Sequence, residues 1–206
     1  MRAWWFGPAD GKLGYDDGRR VRKGVTHKVS TDRPLALCEY GLHASQLPLD
    51  ALQYAPIHPV TWRVELVGDA LRGKDKACAY KRRYIARVKD TDTVLRKFAR
   101  LCALDVLHLW DAPDVVACYL KTGDESLGAA TWDATWAATW DAARDATRDA
   151  TKAATWDATK AATKAATWAA AGDAVGDAAW DAAWAAAREM QNKRLHRMLM
   201  QAAKGE

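Results

Sequence analysis

The chain predicts an α+β protein: a small mixed head domain, connecting helices, and one very long amphipathic α-helix made of tetrapeptide repeats. Three observations predict this. Residues 1–125 carry the scattered Gly, Pro, Leu and Val of an ordinary mixed domain, enough chain to bury a core. Near residue 126 the composition turns abruptly to Ala, Thr, Trp, Asp, Lys and Arg, with no Pro through residue 190. From Ala134 to Ala186 every fourth residue is alanine, the strongest helix former. The divisions expected are 1–90 for the head, 91–125 for the connecting helices, and 126–206 for the repeat helix with its basic end.

The head elements follow in order. Residues 2–7 and 61–68 alternate or cluster as strands do. Pro48 opens a short helix over 48–54, with Leu49 and Leu52 on its apolar side. Residues 77–89 return as a strand carrying Lys81, Arg82, Arg83 and Arg87. Asp90-Thr91-Asp92 caps a helix running to about Trp110, whose Val94, Leu95, Phe98, Leu101 and Cys102 recur at helical spacing. Asp111-Ala112-Pro113 ends it and starts another over 114–121. Thr122-Gly123-Asp124 breaks that one, and Glu125-Ser126 opens the repeat.

Period four suits a strand as well as a helix. A strand of roughly sixty residues without a turn, however, lies far outside ordinary strand lengths, and alanine is depleted in strands. At about 100° per residue, a four-residue step overshoots one turn by about 40°, so each column of the repeat winds around the helix. With Trp132 at zero, Trp136, Trp140, Trp168, Trp180 and Trp184 fall at roughly 0–160°, and Lys152, Lys160, Lys164 and Arg188 at roughly 200–320°. The rhythm thus hides an amphipathic helix with a broad apolar stripe. Trp156 falls on the wrong side, and nothing in the sequence explains it.

A helix of that length would span about 90 Å, against about 30–35 Å for the domain formed by residues 1–125. The head could not cover the stripe, and exposed Trp and Ala favour association. The six tryptophans of the stripe are therefore the expected interface, and the expected assembly is a homo-oligomer. Gly172 and Gly176 are the points where the helix would bend.

The charge of +5 lies in the head and at the extreme C-terminus. A solvated Lys/Arg surface accounts for it, and nucleic acid is not the expected partner. No run of about 18 apolar residues suggests a membrane span, and the N-terminus turns polar too soon for a signal peptide. Cys38, Cys78, Cys102 and Cys118 lack paired spacing, which favours reduced thiols and the cytoplasm. No cofactor is expected.

The most site-like cluster is His43 with Glu39 and Cys38. His43 could act as a general base beside Glu39 or Ser45, or it could brace a turn. Cys38-x4-His43 could begin a zinc site, but no second pair follows at ligand spacing, so no metal is expected. Lys81, Arg82 and Arg83 could hold a phosphate, or blunt a sheet edge with charge. Gly11, Gly14 and Gly18 match no phosphate-loop spacing.

The segment Leu37-Cys38-Glu39-Tyr40-Gly41-Leu42-His43-Ala44-Ser45, followed by Pro48-Leu49-Asp50-Ala51-Leu52, resembles a C-x-x-G-(F/L)-H-A module of uncharacterised phage and bacterial proteins. Leu109-Trp110-Asp111-Ala112-Pro113-Asp114, Thr122-Gly123-Asp124-Glu125-Ser126-Leu127, the Ala/Trp/Arg/Asp-rich repeat and Gln191-Asn192-Lys193-Arg194-Leu195 are similar to the same proteins. The resemblance implies a shared architecture with a repeat of variable length, and a phage or host protein as a further possible partner. It implies no activity. The function expected is non-enzymatic self-association or partner docking. The alternatives are a nucleotide-binding or enzymatic head around His43 with the helix as oligomerisation arm, and nucleic-acid binding through the basic head.

Overall fold

The computed structural model describes residues 1–14, 17–109, 111–138 and 183–204. They divide into two compact units, Met1–Phe98 with Glu189–Glu206, and Ala99–Arg188.

The first unit is built on an antiparallel sheet. Its strands are β1 (Arg2–Gly7), β2 (Thr26–Lys28), β3 (Leu42–Ala44), β4 (Val60–Arg72) and β5 (Ala77–Arg87). They run in the order β1-β4-β5-β2, with β3 also paired to β5. Helix α1 (Pro48–Leu52) separates β3 from β4. Strands β4 and β5 are the longest because residues 61–67 and 77–86 supply the β-branched and aromatic side chains that suit a pleated surface. Between them the register shifts at Arg63/Val64 and at Val67/Ala70.

Both faces of the sheet are covered, and strand alternation decides which residue meets which cover. Ala3 pairs with Val64 and Val64 with Tyr84, and this face holds the main core with Trp62, Leu66, Leu13 and Val21. The opposite face carries Trp4, paired with Arg63. Residues 189–203 of the C-terminal helix lie against it and against α1: the Trp4 indole N–H donates to His196 Nδ1 at 3.3 Å, and Leu49 N–H donates to Asn192 Oδ1 at 3.1 Å. Leu195 and Leu199 are fully buried there.

Helix α2 (Thr91–Val106) begins in the first unit, and its residues from Ala99 on belong to the second, where a 3-10 turn at Leu107–Leu109 follows it. Asp90 caps its start, accepting from Thr93 N–H at 3.3 Å. Helix α3 (Asp114–Thr122) stops at Gly123, whose φ of 72° closes the left-handed turn through a bond to Tyr119 O. Asp124 Oδ1 accepts from Ser126 N–H at 3.0 Å. A 3-10 turn at Glu125–Leu127 follows, and residues 128–138 are helical.

The one very long helix expected from 126 is corrected here. Among the described residues the chain opens the repeat with a 3-10 turn, continues as helix over 128–138, and has its longest helix at 183–203. Residues 139–182 lie outside the described residues. The physical reason shows at the C-terminal end. The buried residues Asn192, Leu195 and Leu199 recur at i, i+3 and i+7, the mixed three- and four-residue spacing of a helix packed on one side, in place of the strict four-residue column. That end is part of the head's fold, so the architecture is a five-stranded antiparallel sheet with helices, one of them the chain's own C-terminus.

Candidate functional site

His43 lies in the middle of β3, opposite Cys78 of β5. Its Nε2 accepts the backbone N–H of Cys38 at 3.0 Å, so the neutral ring carries its proton on Nδ1. Burial pushes its pKa below the ordinary histidine value. Cys38 adopts a φ of 70°, uncommon for a residue with a side chain, and the imidazole holds that turn in place. Gly41, at φ 121°, is required beside it: a Cβ there would meet the Leu35 side chain at 3.0 Å and Cys78 Cβ at 3.1 Å. Glu39 points away to an exposed pair with Arg33 at 3.7 Å. The ring nitrogen a general base would use is thus bound to the backbone, and the geometry is that of a braced turn.

The three basic residues of β5 are not brought together. Alternation sends Lys81 and Arg83 to one face and Arg82 to the other. Lys81 is exposed, and Arg83 pairs across the ladder with Glu65 at 2.6 Å. Arg82 is only 3% exposed. Its Nε and Nη2 donate to the Tyr84 hydroxyl at 3.1 and 2.8 Å, and its Nη1 donates to His43 O at 2.5 Å. The guanidinium also lies 4.2 Å over the Trp5 ring, and His27 Nδ1 is 3.2 Å from the same hydroxyl. Burial lowers the pKa of His27 and raises that of Tyr84. The cluster is a buried cation held by a phenol, a carbonyl and an aromatic face, and it ties β2, β3 and β5 to one another.

The tryptophans of the repeat divide by what is described. Trp140, Trp168 and Trp180 lie outside the described residues. Trp132 and Trp136 are one helical step apart on 128–138, 69% and 58% exposed. Their rings stack at 6.5 Å between centroids with 18° between planes. Trp184 is also exposed, with the Arg188 guanidinium 5.3 Å from its ring centroid.

One group of residues escaped the sequence altogether. Arg2 and Arg63 of the sheet meet His196 and Lys204 of the C-terminal segment around a single cleft. The residues stand at opposite ends of the chain, so no local motif could have joined them. Only the helical spacing of Leu195 and Leu199 hinted that the C-terminus packs on something.

Among the described residues, no helix is long and apolar enough to cross a membrane, and no group of three or more His, Cys, Asp or Glu is placed to hold a metal ion. No curated protein and no solved structure matches the chain. Residues 21–97 match a family described as a domain of unknown function, DUF7666; that stretch holds His43, Arg63, Arg82 and Tyr84, but neither Arg2 nor the C-terminal helix.

Proposed function

We propose that the chain associates with a second copy of itself through the tryptophans of its repeat, and that it does so without catalysis. The observation that carries this reading is the stacked, exposed pair Trp132–Trp136. Each indole offers roughly 150–250 Å², so covering its exposed part contributes about 3 kcal/mol at about 25 cal/mol per Å². One pair laid on a foreign surface would yield about 6 kcal/mol, near the low end of the roughly 4–15 kcal/mol that association costs. A two-fold contact covers the pair on both chains and doubles the gain. That arithmetic favours a second copy over a featureless partner.

Charge supports the same choice. Residues 131–190 hold nine acidic against six basic side chains, so two copies repel little and offer each other both signs. The four cysteines form no disulfide among the described residues, which fits a reducing compartment such as the cytoplasm.

Sedimentation equilibrium on the full chain, wild type beside Trp132→Ala/Trp136→Ala, tests the reading. A wild-type oligomer that the double variant turns into a monomer is the expected result. A variant that assembles as the wild type does would remove these two residues from the interface. A wild-type monomer would leave a host or phage protein as the occupant of the face.

A further inference from the structure

The face of the sheet that receives the C-terminal helix holds a cleft of about 300 Å³. Its rim is cationic from both sides. Arg2 of β1 and Arg63 of β4 come from the sheet, and His196 and Lys204 from the C-terminal helix and the turn ending it. Among the described residues no carboxylate lines it, and Ile85 and Met200 add apolar side chains to its lining.

Trp4 sets the geometry of two of these groups. Its ring, fully buried, lies 4.8 Å below the Arg63 guanidinium. Its indole N–H donates to His196 Nδ1 at 3.3 Å. An indole can only donate, so the neutral imidazole carries its proton on Nε2 and is a donor at that atom too. Every polar side chain among the described lining residues can therefore donate a hydrogen bond. Arg63 Nη1, shielded from solvent, has no hydrogen-bond partner among the described residues. Burial and the neighbouring Arg2 charge hold the Arg63 pKa down, and burial and Arg63 do the same for His196. Positive charge is crowded here, and among the described residues no counter-charge lines the cleft.

Arg2, Arg63 and Lys204 bring three cations to one cleft, and an anion bound there offsets their mutual repulsion. Arginine forks match the oxygens of carboxylate and phosphate. Donors converging from a sheet on one side and a helix on the other suit a tetrahedral group with three free oxygens better than a planar one with two. The volume lies at the lower end for small-ligand clefts, and the apolar side chains in the lining suit a ligand with an apolar part.

We infer that the cleft is a binding site for a small organic phosphate. Its phosphate is held by Arg63, Arg2, Lys204 and the Nε2–H of His196, and its apolar part lies against Ile85 and Met200. The ligand bridges the sheet to the C-terminal helix, and so joins the two ends of the chain. The basic residues of β5, which the sequence offered for this task, take no part in it.

Calorimetry on the full chain with AMP, inorganic phosphate and adenosine tests the site. The expected result is binding of AMP, weaker binding of inorganic phosphate, and none of adenosine. Arg63→Met keeps the stem over Trp4, removes the fork, and weakens AMP by about tenfold or more. Arg63 is half-buried, so the exposed Arg2→Gln and Lys204→Gln provide a second arm that does not depend on that variant folding. Each should weaken AMP by about threefold or more while leaving the thermal midpoint unchanged. No heat with AMP or phosphate at millimolar concentration overturns the assignment, and so does an affinity indifferent to Arg2→Gln and Lys204→Gln. A single-stranded RNA oligomer that displaces AMP at a lower concentration overturns the small-ligand assignment in favour of nucleic acid.

Discussion

Replacing Tyr84 by phenylalanine should damage the head far more than the loss of one hydroxyl suggests. Tyr84 is fully buried, and its oxygen accepts two of the bonds that hold the buried guanidinium of Arg82, at 3.1 and 2.8 Å. Among the described residues no carboxylate is bonded to Arg82, so the phenol and His43 O are its only hydrogen-bond acceptors there. Hydrogen bonds to a charged group contribute about 1.5–3 kcal/mol each. Removing the shared acceptor should therefore cost about 3–5 kcal/mol, the range measured when a buried charge loses its partner. That is a large share of a stability of about 5–15 kcal/mol. The cost belongs to the stranded charge, so adding Arg82→Met to the Tyr84→Phe chain should restore about 2 kcal/mol or more. Native-state hydrogen exchange of the β4 and β5 amides under graded urea reads the sheet apart from the repeat. A Tyr84→Phe chain within about 1 kcal/mol of wild type would refute the reasoning. A double variant no more stable than the single one would refute it equally.

Two further predictions rest on other parts of the head. Leu199→Ala removes a fully buried side chain from the helix that covers the sheet, and should cost about 2–5 kcal/mol. Exchange protection of residues 192–203 should fall with it, whereas a change under about 1 kcal/mol would contradict the docking of that helix. His27, His43 and His196 all have pKa values lowered from 6.5, chiefly by burial. Between their folded values and 6.5 the unfolded chain binds more protons, so their contribution to stability is complete above that pH and declines as the pH falls below it. Urea midpoints measured from pH 7.5 down to 5 should therefore fall (roughly the window in which histidines titrate), and a flat or rising series would contradict the burial argument.

The strands most legible in the sequence are those with the longest alternating patterns. Residues 2–7, 61–68 and 77–89 announce β1, β4 and β5, and the caps at Asp90 and Gly123 mark their helix ends through turn chemistry alone. Strands β2 and β3 have three residues each, too few for any period to show. At Lys81-Arg82-Arg83, alternation says that the middle residue faces away from its neighbours. It does not say which face is dry, and a buried arginine is the rarer outcome. The C-terminal helix misleads in the other direction. Lys193, Arg194 and Arg197 suggest a solvated basic end, while Leu195 and Leu199, with the buried Asn192 one turn before them, supply a narrow seam that needs the sheet to give it meaning. The cleft beside that seam is less legible still, because Trp4 and His196 stand 192 positions apart. The four-residue rhythm of the repeat dominates every local signal from residue 131 onward, and it conceals where the chain passes from repeat to head.

Light scattering on the full chain across a wide dilution series tests the central claim most directly. The account predicts a mass that is a multiple of 22.7 kDa at high concentration, and a return to the monomer on dilution or on substitution of Trp132 and Trp136. A monomer mass throughout the series, with both tryptophans intact, would contradict it.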